Sequence, residues 1–156
     1  MTGSARKILE IKPGESWLIL SDGRWAFDAP PGRLAVPLAR AAIGLLPLVE
    51  RPRQEVEAQA RARLEPGDPD LAEPMRTVIA AGLTAWSDHW ISRALHWLTA
   101  HEVEPFADQL HKIATTSTAA AQRTREAARM LLEQQGLWRP VVAADEPGQN
   151  PPETSR

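Results

Sequence analysis

Hydrophobic positions along the chain change their period once, from that of a sheet to that of helices. From Lys7 to Asp28 they cluster as a sheet does, with Ile8, Leu9, Ile11, Trp17, Leu18, Ile19, Leu20, Trp25 and Phe27 between turn signals. Asp22-Gly23 is a two-residue hairpin signal, because both central positions must tolerate positive φ. With those two as the loop, Ser21 faces Arg24, Leu20 faces Trp25 and Leu18 faces Phe27, so the four large side chains share one face. Pro13-Gly14 predicts an earlier and looser type II turn. The segment therefore reads as a two- or three-stranded antiparallel piece, which must pack on something else to be stable.

After Pro30-Pro31-Gly32 the period becomes helical. Arg33 to Val49 is apolar nearly all round, with Pro37 suited to a first helical turn and Pro47 set to end or kink the helix near Leu46. A helix this apolar is either buried or covers a partner. Gln54 to Leu64 is charged, with Val56, Ala60 and Leu64 as a narrow docking face and Glu57–Arg61 as a favourable pair. Glu65-Pro66-Gly67-Asp68-Pro69-Asp70 is a breaker and the best internal boundary.

Met75 to His101 holds three of the six tryptophans. On one continuous helix Ile79, Leu83, Trp86, Trp90, Ala94 and Trp97 form a stripe, with Ile91, Leu95 and Leu98 beside it. This stripe predicts a tryptophan-rich core. Asp88, His89, Ser92 and His96 fill the polar arc. Trp86-Ser87-Asp88 also carries a cap signal, and a break there, with Ser87 opening a second helix, is the favoured reading. Further helices are predicted from Phe106 to about Thr115 and from Ala119 to Gln135, the last stopped by Gly136, with Leu137 and Trp138 folding back on its end. From Pro140 to Arg156 the composition turns to Pro, Gly, Asn, Asp, Glu and Ser, which predicts a disordered tail.

Ser92–Leu98 aligns with Arg125–Leu131 at an offset of 33, matching Ala94 to Ala127, Trp97 to Met130 and Leu98 to Leu131. A two-helix unit near that period is typical of helical arrays. On the residues Trp90–Leu98, Leu110–Ala114 and Gln122–Leu132, the region from about 71 to 136 resembles HEAT-like helical repeats. That resemblance implies stacked helices and a binding surface, and it carries over no catalytic residue. The expected fold class is mainly α, a helical-hairpin repeat or a bundle, with a small N-terminal antiparallel β hairpin. The expected organisation is one domain over residues 1–139: hairpin at 7–28, helices at 33–64 and repeats at 71–136, followed by the tail.

Composition narrows the chemistry. The 156 residues carry a formal net charge of -2, so no global field favours nucleic acid or an anionic membrane. The absence of cysteine excludes disulfides, thiolate catalysis and cysteine-based zinc sites. Neither a signal peptide nor a membrane-spanning run is recognisable, so a cytoplasmic location is expected. Glycine-rich phosphate loops, a nucleophile elbow and a calcium loop are all missing from the pattern. His89 and His96 lie two turns apart, about 10 Å along a helix, too far for one ion without help from Asp88 or Glu102.

The resulting expectation is a non-catalytic interaction or adaptor module with no metal and no cofactor. Its expected partner is another protein. A homodimer through the apolar 34–49 segment is the further option. The residues expected to meet the partner are Leu34, Leu38 and Leu45 in that segment and the basic strip Arg123, Arg125 and Arg129, with the groove between repeat helices as a second route. One alternative is a small enzyme or metal-dependent protein using His89 and His96. Another is a weak nucleic-acid binder using the Arg-rich last helix, although buried aromatics leave little for base stacking.

Overall fold

The computed structural model describes residues 5–28 and 35–140. It is mainly α-helical, with a small antiparallel sheet at its N-terminal end. The strands are β1 (Arg6–Lys12), β2 (Ser16–Ser21), β3 (Arg24–Asp28) and the short β4 (Val36–Pro37), in the order β1-β2-β3-β4. Asp22 and Gly23 take φ of 52° and 73°, and the register of β2 on β3 pairs Ser21 with Arg24, Leu20 with Trp25 and Leu18 with Phe27. This is the register that turn chemistry and hydrophobic pattern both predict. The earlier turn is type II, with Gly14 at φ 71° and the Glu15 N–H donating to the Lys12 carbonyl at 3.0 Å.

Two features of the sheet go beyond the sequence reading. β1 slips register between Lys7 and Leu9 and again between Glu10 and Lys12, which lets Ile8, Leu9 and Ile11 all be buried. β4 is new: Val36 pairs with Phe27 and Pro37 with Ala26, so Pro37 belongs to a strand and not to a helical turn.

The long helix expected after it does not form. One α turn, α1 (Leu38–Ala41), passes into a 3₁₀ segment over Ala42–Glu50 that contains Pro47. The three-residue period of that winding sets Leu45 and Leu48 on one face, and both are fully buried together with Val49. Gly44 lies against the Phe27 ring so closely that a Cβ would stand 2.6 Å from its Cζ. The segment is thus clamped to the sheet, with Leu45, Leu46, Leu48 and Val49 turned into the core and Ile43 left exposed.

The remaining α-helices are α2 (Arg53–Arg61), α3 (Ala72–Leu83), α4 (Asp88–Trp97), α5 (Ala107–Thr115) and α6 (Gln122–Gln134), with a short 3₁₀ turn over Ala100–Glu102. On α2, Val56 and Ala60 are buried and Leu64 beyond its end is half-buried, the narrow face that the spacing predicts. One contiguous core runs from Ile8 and Trp25 in the sheet through Leu48, Met75, Ile79 and Trp97 to Leu132. The Pro-Gly-Asp loop at 65–70 is stitched to the sheet and is no free linker. Trp25 Nε1 donates to the Asp70 carbonyl at 3.0 Å, and Arg6 pairs with both Asp68 and Glu65.

α6 ends as expected. Gly136, at φ 68°, donates to the Glu133 carbonyl, and the Leu137 N–H donates to the Leu132 carbonyl at 2.8 Å, a Schellman closure. Trp138 folds back between the His111 ring and the Arg129 guanidinium, the latter 4.8 Å from the ring centre.

Candidate interaction surface

α3 and α4 form one helical hairpin, and α5 and α6 form a second; α4 packs along α6 and α3 touches α5. The first pair approaches closely because Gly82 faces Ala94. A Cβ on Gly82 would lie 2.5 Å from the Ala94 Cβ. The two pairs are joined at one end by Asp88, whose carboxylate accepts from the Ala121 N–H at 2.7 Å and from the buried Thr124 hydroxyl. These bonds from Thr124 and Ala121 hold the Asp88 carboxyl below the usual carboxylate range.

The loops Thr84–Ser87 and Thr116–Ala121 therefore meet at the same end of the stack. The second is rigid. Arg125 donates from Nε to the Ala120 carbonyl at 3.1 Å and from its guanidinium to the Ser117 carbonyl, and the Ala120 N–H donates to Ser117 Oγ at 3.2 Å. The first leaves the end of α3, which Gln109 ties to α5 by donating to the Leu83 carbonyl at 3.3 Å.

Trp86 stands on this end. It is 92% exposed, whereas Trp97 is 3% exposed. This corrects the sequence stripe. Thr84 leaves helical geometry and Ser87 is extended, so the helical phase restarts at Asp88 and carries Trp86 out of register with both helices. Trp97 does anchor the core, with its Nε1 donating to the Arg51 carbonyl at 3.0 Å, and Trp90 is half-buried against the core. Ser87 sits at the first cap position of α4 without a side-chain capping bond. Beside Trp86 a cleft of about 240 Å³ opens between the two loops, lined among others by Ile91, Gln109, Lys112 and Thr116.

A second depression, of about 230 Å³, lies between α4 and α6. It is formed by Leu95, His96, Ala127, Met130, Leu131 and Gln134, and is mostly apolar. Met130 is 56% exposed there. Exposed apolar side chains on a fixed scaffold are what a partner can cover.

The residues expected from sequence to meet a partner are distributed differently. Leu38 and Leu45 are 2% and 0% exposed, because the α1 and 3₁₀ segment turns them into the core, and neither can meet another chain. Leu34 lies outside the described residues. The basic strip on α6 is not continuous. Arg125 is consumed by the loop before its helix, and Arg129 pairs with Glu133 at 2.8 Å beneath Trp138. Arg123 is exposed and has no ion-pair partner among the described residues.

The polar arc of α4 likewise divides. His89 bonds Glu50, His96 Nδ1–H donates to the Ser92 carbonyl of its own helix at 2.7 Å, and Asp88 faces α6. Glu102 turns to Arg53 and Thr99. Burial pushes its carboxyl up, but the bonds from Arg53 and Thr99 outweigh that and hold it below the usual range. Among the described residues, no three His, Asp or Glu side chains converge as a metal site would require. None of the described helices is long and apolar enough to cross a membrane. No family model, curated protein or solved structure matches the chain.

Proposed function

We propose that this protein is a non-catalytic interaction module of HEAT-like design, which binds another protein through the loop end of its two stacked helical hairpins. The observation that carries the reading is Trp86: a large apolar side chain, almost wholly in solvent, on loops fixed by Asp88, Gln109 and Arg125. An indole of this kind hides roughly 150–250 Å² when covered. At about 25 cal/mol per Å² the gross gain is roughly 4–6 kcal/mol, enough for a binding hot spot. The cleft beside it and the apolar depression at Met130 extend the area that one partner could cover. The pairing of α3 with α4 and of α5 with α6, and the run of α4 along α6, support the repeat reading, as does the match of Ala94 to Ala127 at the offset of 33.

The test is comparative capture from the native host's extract, using the wild type, Trp86→Ala, Met130→Glu and the control Ile43→Ala as baits. Ile43 is also exposed but lies on the 3₁₀ segment and lines neither the cleft beside Trp86 nor the depression at Met130. The expected result is a defined protein retained by wild type and control and lost from Trp86→Ala. Equal retention by all four baits, or no specific protein at all, overturns the proposal.

A further inference from the structure

The sheet has two edges, and they are built differently. β4 is two residues long and contains Pro37, which has no N–H to offer a new neighbour. β1 is seven residues long and hydrogen-bonds along its inner side to β2. On its outer side a side chain stands where a neighbouring strand would: Arg51 Nη2 donates to the Glu10 carbonyl at 2.8 Å. Next to this edge runs a groove of about 690 Å³, bounded by Ile8–Pro13 on one wall and by Arg51, Gln59 and Arg63 on the other.

The charges lining the groove are unequally committed. Its two carboxylates are occupied: Glu10 accepts from the Gly14 N–H at 3.1 Å, and Glu50 bonds His89 and lies 3.9 Å from Arg93. Its cations have no carboxylate partner among the described residues. Arg51 bonds only neutral oxygens, the second being Gln59 Oε1 at 2.9 Å; Arg63 lies over the Trp17 ring at 5.5 Å; Lys12 is exposed. Three cations without a carboxylate partner, beside a strand edge that has no strand neighbour among the described residues, are complementary to an extended chain that carries carboxylates.

A second copy of this protein fits less well. Antiparallel pairing of two β1 strands would bring Lys7 and Lys12 of each copy toward the other, and the two register slips would break the shared ladder.

We infer that the groove along β1 receives an extended, acidic segment of another protein as an added strand. A backbone N–H of that segment replaces Arg51 on the Glu10 carbonyl. The freed guanidinium, with Arg63 and Lys12, then takes the segment's carboxylates. This surface is separate from the Trp86 end and does not depend on it.

The probe is a phage-displayed library of short random peptides, panned on the full folded chain at low salt. Selected sequences should carry Asp or Glu at alternate positions, since alternate side chains of a strand face the same wall. A synthetic selected peptide should shift the backbone amide resonances of Ile8–Lys12, and its affinity should fall about tenfold or more in Arg63→Glu and in Arg51→Gln and with rising salt. Arg63 is exposed, so its replacement leaves the fold intact and keeps the test valid if Arg51→Gln unfolds the chain. Trp86→Ala should bind the peptide as wild type does, whatever becomes of the loop-end reading. No enrichment of acidic sequences, a peptide indifferent to Arg63→Glu, or a dimer formed through β1 would each overturn the inference.

Discussion

Asp88 and Ala121 are joined by a 2.7 Å hydrogen bond, the carboxylate of one helix's first residue closing the amino end of another helix 33 residues later. Ala121 has no side chain able to cap α6, and Asp88, from a neighbouring hairpin, instead accepts the N–H of the cap residue itself, the bond that a Glu at the third helical position makes in a capping box. Asp88→Ala should therefore cost about 1 kcal/mol, as loss of a cap does, and should loosen α6 selectively. Hydrogen exchange at the first amides of α6 checks this; unchanged protection there would contradict it.

The same carboxylate makes stability depend on acid. Its pKa lies below the ordinary value in the folded state. Its contribution is therefore complete above the unfolded value of about 4 and drains as the pH falls through the lower folded value. Glu102 behaves alike, against its burial, because Arg53 and Thr99 bond it. Glu102→Gln should destabilise the protein at neutral pH by roughly 1–3 kcal/mol and flatten the acid limb of a plot of Tm against pH. Combining it with Arg53→Met should cost less than the two changes summed, since each single change strands the other partner.

Two tryptophans should respond oppositely to truncation. Trp97→Ala removes a buried ring and its hydrogen bond to Arg51, at about 3–5 kcal/mol in denaturant unfolding. Trp86→Ala should stay within about 0.5 kcal/mol of wild type while abolishing partner capture. A large loss of stability in Trp86→Ala would mean that its ring packs on the molecule.

Gly82→Ala should destabilise the first helical hairpin. On an exposed helix this change gains up to about 1 kcal/mol. Here the new methyl would lie 2.5 Å from the Ala94 Cβ and 3.3 Å from the Trp90 carbonyl oxygen, both on the packed face of α4. The hairpin must spread, and a net loss of about 1–3 kcal/mol is expected in equilibrium unfolding.

Local chemistry made parts of this molecule readable in advance. The Asp22-Gly23 turn set the β2–β3 register, Gly136 set the end of α6, and Ser87 marked the start of α4, because each depends on residues adjacent in sequence. The candidate surface was less legible. The stripe through Trp86 assumed an unbroken helical phase, although the break at Ser87 already implied that the phase would reset. Reading the two helices separately would have left Trp86 unassigned. The 34–49 segment misled for another reason. Its apolarity is plain in the sequence, but the choice between core and partner depends on the sheet edge formed by β4 and on Gly44 meeting Phe27, contacts that no local pattern encodes. Arg125 and Arg129 counted as free charge in the sequence and became loop and helix fasteners in space.

The bond from the Trp25 indole to the Asp70 carbonyl has a practical corollary. A protease nick at Pro66-Gly67 would leave a strand-bearing fragment and a helix-bearing fragment still gripping one another, with Arg6 holding the cut loop by Asp68. Neither piece keeps its apolar interior once parted from the other, so the nicked protein should melt as one body and reassemble from its halves.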